Sequence, residues 1–289
     1  MPEYRYRILN VFTRGEDPFS GNPLAVIEDG RGLDDARMQS LARQFNLSET
    51  TYILPSERAS ARVRIFTPTF EMAFAGHPTL GTAHVCRALG LGADELTLEM
   101  KAGVIPVKAQ GRRWTLQARE PASREVAESP GWLAEMLGVG VGDLGERPLW
   151  VNVGSEQLIV PLRSVAAVRR AAPRAELLAQ MERPGAESMA YVFAPAEGES
   201  TDLRIAKRLT SRFFFPHGPA VIEDPATGSA TANLGGWCLI MGYAPGCRFE
   251  ISQGEQAGRP STLYLEVDAA RRILVSGEVI ELGRGVVTL

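Results

Sequence analysis

The stretch Glu71-Met-Ala-Phe-Ala-Gly-His-Pro-Thr-Leu-Gly-Thr-Ala-His-Val-Cys86 limits the possible folds of this chain more than any other. It follows Arg62–Thr67, where Val63 and Ile65 alternate with longer side chains in the manner of a strand. Pro78 suits the first turn of a helix, where no backbone N–H is needed. Leu80, Ala83, Val85, Ala88 and Leu89 supply an apolar helical face, and Gly90 is a natural stop. A strand that feeds a glycine-containing loop into a helix presents unpaired N–H groups and the positive end of a dipole. Such an end receives carboxylates, phosphates or enolate oxygens.

The same plan returns in Glu223-Asp-Pro-Ala-Thr-Gly-Ser-Ala-Thr-Ala-Asn-Leu-Gly-Gly-Trp-Cys238. Glu71, Gly76, Cys86 and Gly90 are matched by Glu223, Gly228, Cys238 and Gly242, each 152 positions on (223 minus 71). That offset is about half of the 289 residues, so the chain reads as an internal duplication with two helix N-termini. If the halves face each other, both dipoles point into one cleft.

Around these two units many short strands are expected and few helices. Arg5–Phe12 and Leu24–Ile27 read as strands, joined through the turn-rich Gly15–Pro23. Asp34 or Asp35 can cap a helix with Met38, Leu41, Ala42 and Phe45 on one face, ending near Asn46. A strand after it leaves Glu49 at the junction. Residues 96–100, 103–108 and 114–117 continue the strands, and the polar, proline-containing stretch 119–131 is the candidate crossing between domains. Further helices are expected at Trp132–Leu137, Ser164–Arg170 and Ala175–Met181, with strands around them and after Gly242. The fold class is α+β, each half wrapping strands around a central helix. The expected domains are 1–118 with 278–289, and 119–277.

A hydrophobic content of 45% and a net charge of −3, with both signs interspersed, point to a globular protein and give no support for nucleic-acid or anionic-membrane partners. The N-terminus lacks an apolar signal core and no run approaches a membrane span, so a cytoplasmic location is expected. Three cysteines without CxxC spacing fit reduced thiols better than disulfides or zinc, and no spacing supports a metal site. Nucleotide cofactors are disfavoured, because no phosphate-cradling glycine motif occurs between a strand and a helix.

Glu49, flanked by Ser48, Thr50 and Thr51, is either a carboxyl placed for general acid–base work or a solvated loop residue. His77, at the candidate N-cap, can donate to a substrate oxygen, shuttle a proton or make a local hydrogen bond. Asp224 either caps the second helix or binds a substrate ammonium group. Ser229, in the position equivalent to His77, is an N-cap or an anion donor.

Taken together, the motifs resemble the phenazine-biosynthesis PhzF-like isomerase family. The matching pieces are Phe19–Val26 (Phe-Ser-Gly-Asn-Pro-Leu-Ala-Val), Asn46–Thr50, Arg64–Pro68, Phe74–Pro78, Glu223–Ser229, Gln253-Gly254 with Gly258–Pro260, and Gly283–Gly285. The resemblance implies a diaminopimelate epimerase-like fold: two pseudo-symmetric halves, each a helix wrapped by a curved, mostly antiparallel sheet, with the active site in the cleft between them. It also implies a homodimer, no metal or organic cofactor, and return of the last strand to the first domain. By the same resemblance Glu49 moves a proton between two carbons of a small carboxylated substrate such as trans-2,3-dihydro-3-hydroxyanthranilate. His77 and Asp224 assist as catalytic groups, and Gly76, Gly228 and Ser229 hold substrate. The rival from another class is a non-catalytic small-molecule or protein-binding member of the same fold. Racemisation by two opposed thiols is rejected, because Ala75 and Thr227 stand where that chemistry places cysteines. Cys86 and Cys238 lie ten residues past Gly76 and Gly228, roughly 15 Å along a helix.

Overall fold

The computed structural model describes residues 1–181 and 188–289. The chain divides into two compact units, Met1–Gln117 with Ser276–Leu289, and Ala118–Val275.

In the first unit β1 (Glu3–Val11) pairs antiparallel with β2 (Asn22–Ile27), which pairs parallel with β3 (Glu49–Leu54). β3 pairs antiparallel with β4 (Ala61–Phe66), which takes the two-residue β5 (Glu71–Met72) antiparallel and β6 (Glu95–Met100) parallel. β6, β7 (Gly103–Gln110) and β8 (Arg113–Gln117) then form a meander. The last strand, β17 (Ile273–Thr288), pairs with both β8 and β1 and so closes the strands into a ring. Inside it lies α2 (Gly76–Ala88), packed on β1, β2, β3, β4, β6 and β8.

This enclosure explains the composition of α2. Every residue from Gly76 to Cys86 except His84 is buried, so the helix has no solvated face through those turns. A Cβ on Gly81 would stand 2.5 Å from a Leu24 methyl, and its absence lets the helix approach β2. Gly90 (φ +74°) ends the helix as expected, with the Leu91 N–H reaching back to the Cys86 carbonyl. The expected apolar stripe is thus only part of the buried surface, and Ala88, assigned to it, is exposed.

A second helix, α1 (Asp35–Phe45), packs on β3 and β4. It is capped as the sequence suggests. Asp34 accepts from the Arg37 N–H, Met38, Leu41 and Ala42 are buried, and Asn46 closes it in the left-handed region.

The second unit contains β9 (Ala122–Glu125), β10 (Leu149–Asn152), β11 (Glu156–Pro161), β12 (Ala190–Pro195), β13 (Arg208–His217), β14 (Ala220–Asp224), β15 (Arg248–Gln253) and β16 (Ser261–Val267). From β10 onward the pairings run antiparallel, parallel, antiparallel, antiparallel, parallel, antiparallel, the same succession as from β1. The counterpart of α2 is α6 (Gly228–Ile240), also 13 residues long. It packs on β10, β11 and β16 and is buried almost throughout. Shorter helices, α3 (Pro130–Leu137), α4 (Val165–Arg170) and α5 (Ala175–Leu178), bury Leu133, Val168 and Leu178 in one further core.

The class is therefore α+β with mixed, mostly antiparallel pairing. The stretch 119–131, read as a polar crossing, contains β9, which pairs with β10 although its own burial pattern is largely exposed. Such an edge strand is fixed by its partner, not by its own apolar residues. Among the described residues no helix is long and apolar enough to cross a membrane.

Candidate functional site

Two loop-to-helix junctions carry the chemistry-bearing residues, one in each unit. In the first, Thr67 organises a tight turn by accepting from the N–H groups of Thr69 and Phe70 at 3.1 and 3.0 Å. The chain then enters β5, where Glu71 receives a two-pronged bond from Arg64 at 2.8 and 2.7 Å and a third from Lys101 at 2.6 Å. Glu71 is thereby clamped five residues before the helix begins.

The hydrogen bond from Arg64 is the largest influence on Glu71 and holds its carboxyl below the ordinary 4.5. A depressed folded-state value means the pair stabilises the fold above pH 4.5 and that this contribution is lost as pH falls through the lower folded value. Arg64→Met is expected to flatten the acid side of the stability curve in urea titrations; an unchanged acid slope would contradict the linkage.

α2 starts one residue earlier than His77. Its N-cap is Ala75, whose carbonyl accepts from the Thr79 N–H at 3.3 Å and the Thr79 hydroxyl at 2.6 Å. His77 is thus the second helical residue and not the cap, which corrects the expectation. No side chain caps this end, and Pro78 has no N–H. The Gly76 and His77 amides consequently have no intrahelical acceptor.

Glu49, the first residue of β3, brings its Oε2 to 3.0 Å from Nε2 of His77. The two side chains are 14% and 7% exposed. The approach lies off the line of a hydrogen bond, and Oε2 is buried with no aligned donor. Of the hydroxyls that flank Glu49, that of Thr51 bonds to Thr82 at 2.8 Å and that of Thr50 is buried without a hydrogen-bond partner among the described residues.

The second junction repeats the clamp with different partners. Arg212 on β13 donates to Glu223 at 2.7 Å, and its other terminal nitrogen serves the carbonyls of Val168, Arg169 and Ala171 at the end of α4. Asp224 does not cap α6. Its carboxylate accepts from the Thr227 hydroxyl. Thr227 is the N-cap residue, with its hydroxyl turned away from the helix.

Gln253 ties this corner together, donating to the Asp224 carbonyl at 2.9 Å and the Thr227 hydroxyl oxygen at 3.0 Å. Gly254 makes the approach possible. Its φ is +81°, and a Cβ there would lie 2.4 Å from the Pro225 carbonyl oxygen. Ser229 is the second residue of α6, matching His77 in α2, and again is not the cap. It accepts from Gln157 at 3.0 Å.

Glu49, His77 and Gly76 thus gather at one helix end, and Asp224, Gly228 and Ser229 at the other. Gln157, a lone amide in an apolar strand, carries no sequence signal. Among the described residues no cluster of three or more His, Cys, Asp or Glu is placed to hold a metal ion.

The thiols stand apart from both ends. Cys86 and Cys238 are fully buried, and burial pushes the Cys86 thiol up to about 12. Cys238 is raised by its hydrogen bond with Cys247 and by burial. Iodoacetamide at neutral pH is expected to leave both unmodified in the folded protein; inactivation in step with alkylation of either would contradict their exclusion from chemistry.

The family model described as "Phenazine biosynthesis-like protein" matches residues 9–285. An uncharacterized isomerase from Pasteurella multocida is 36% identical over 98% of this chain and 93% of its own. A trans-2,3-dihydro-3-hydroxyanthranilate isomerase from Pseudomonas aeruginosa is 34% identical over 96% of this chain and 95% of its own. The crystal structure of a phenazine biosynthesis protein of the PhzF family from Bacillus anthracis covers 100% of both chains, with a TM-score of 0.85 and 25% identity.

Proposed function

Because this chain belongs to the phenazine biosynthesis-like protein family, we propose that it is an isomerase that moves a proton on a small carboxylated substrate without a cofactor. The observation that carries the proposal is the 3.0 Å approach of Glu49 to His77 beside an uncapped helix N-terminus. The like succession of strand pairings in the two units supports reading them as duplicated halves of a diaminopimelate epimerase-like fold.

The chemistry runs as follows. Glu49, acting as the base, removes a proton from a carbon whose C–H is acidified by a conjugated carboxylate. One C–H bond breaks, one O–H bond forms, and the electron pair moves into the substrate's conjugated system. The helix-end amides of Gly76 and His77 stabilise the charge that builds on a substrate oxygen. Glu49 then returns the proton to a second carbon, so the atoms of substrate and product are the same. His77, packed 3.0 Å away, limits where the carboxyl can move. At the other helix end, Asp224 suits an amino function and Ser229 an oxygen function of a substrate.

The test is incubation with trans-2,3-dihydro-3-hydroxyanthranilate, the compound named for the Pseudomonas aeruginosa relative, with product formation followed by NMR. Conversion by the wild type is expected, and His77→Asn should slow it by about 10- to 100-fold by releasing the carboxyl. No conversion would retire this substrate. Conversion at the wild-type rate in His77→Asn would remove His77 from the mechanism.

A further inference from the structure

The hydroxyl of Ser229 is held in one polarity by a chain of side chains that ends on two backbone groups. The Val153 N–H, which can only donate, meets Oδ1 of Asn233 at 2.9 Å. The Ser155 carbonyl, which can only accept, meets Nδ2 of Asn233 at 2.9 Å. These anchors leave one orientation for the Asn233 amide. Its Nδ2 also donates to Oε1 of Gln157 at 2.8 Å, which turns Nε2 of Gln157 toward Ser229 at 3.0 Å. Gln157 is 2% exposed and Asn233 is fully buried, so neither amide can flip without stranding polar groups away from water.

The consequence falls on the serine. Its oxygen accepts from Gln157, so its proton cannot be used on that side. Among the described residues the Ser229 hydroxyl makes no other hydrogen bond. We propose that Gln157 and Asn233 are positioning residues that fix Ser229 as a hydrogen-bond donor toward substrate. The group that Ser229 itself binds is then an oxygen acceptor, a carboxylate or oxyanion, and not an ammonium. The inference rests on the proposed isomerase reading for its substrate, while the hydroxyl polarity stands on the network alone.

Two measurements separate these parts. Neutron diffraction from crystals of the wild-type protein should place two deuterons on the Gln157 nitrogen, one facing Ser229, with the serine deuteron directed away from Gln157. A serine deuteron between the two residues would overturn the proposal whatever the substrate. In kinetics with trans-2,3-dihydro-3-hydroxyanthranilate, Gln157→Glu presents an acceptor of the same shape and draws the serine proton inward. It should raise KM by about 10-fold or more, as Ser229→Ala does, with kcat changed much less.

Gln157→Met leaves the serine free to rotate and still able to donate, so its KM should rise only a few-fold. In a Gln157→Glu background, Ser229→Ala should have no further effect. Equal KM values for the Met and Glu variants would assign Gln157 a packing role and overturn the proposal. If the wild type does not turn this compound over, the isomerase reading loses its substrate, and the neutron result still decides the polarity of Ser229.

Discussion

Glu49→Gln is expected to lower turnover by about 10²- to 10⁴-fold, the range attributed to a positioned general acid–base group. The substitution keeps the volume and the hydrogen-bonding shape of the side chain and removes its ability to accept a proton from carbon. In the proposed mechanism this carboxyl moves the proton and does not hold substrate, so KM should change little. Glu49→Asp should recover only part of the rate. It keeps the carboxyl but draws it back by about one carbon–carbon bond length, away from the 3.0 Å approach to His77. A fall in affinity with an unchanged rate constant would instead describe a binding residue, as the non-catalytic alternative predicts.

The largest expected loss of stability comes from Arg212→Ala, about 3–5 kcal/mol. Arg212 and Glu223 have side chains only 10% and 11% exposed, and their contact is 2.7 Å. The other oxygen of Glu223 is already buried without a donor, so removing Arg212 leaves the whole carboxylate uncompensated. The same change strips three carbonyls at the end of α4 of their donor and removes the guanidinium from over the Phe214 ring, 4.6 Å away.

Arg212→Ala with Glu223→Gln should regain a good part of the loss, since no buried charge then remains. Urea unfolding followed by the fluorescence of Trp150 and Trp237, both in this unit, measures it. A loss below about 1 kcal/mol would mean that water reaches Glu223 and that the pair is worth no more than a surface contact. Because Glu223 directly precedes Asp224, the single variant should also disturb the corner formed by Asp224, Thr227 and Gln253.

The elements read correctly from the sequence are those whose signals are local. The α1 helix announces itself by a capping Asp34, apolar residues spaced one turn apart and an Asn46 that tolerates the left-handed region. The two central helices were placed by their glycines, yet their enclosure was not visible in their periodicity. A helix surrounded by strands buries small and polar residues as well as apolar ones, as Thr79, Thr82, Thr231 and Asn233 show. The edge strand β9 was missed because its pairing with β10, more than twenty residues on, decides it.

At the site, family motifs pointed to Glu49, His77, Asp224 and Ser229, but not to Gln157 or Asn233. The approach of Glu49 to His77 joins residues 28 apart and depends on β3 lying beside α2. Gln157 reaches Ser229 across 72 residues, and Asn233 joins them only once α6 packs on β10 and β11. Such contacts are made by tertiary packing, and no local pattern encodes them. The distance of Cys86 and Cys238 from the helix ends, by contrast, was legible, because it follows from sequence spacing along a helix.

The most direct test of Glu49 as the proton carrier is proton NMR in D2O, with trans-2,3-dihydro-3-hydroxyanthranilate and either the wild type or Glu49→Gln. The wild type should form product, with deuterium at the newly protonated carbon to the extent that the Glu49 proton exchanges with solvent before it is delivered, while the variant, folded and still binding the compound, should show neither product nor exchange. Deuterium uptake at the wild-type rate in the Glu49→Gln protein would contradict the account.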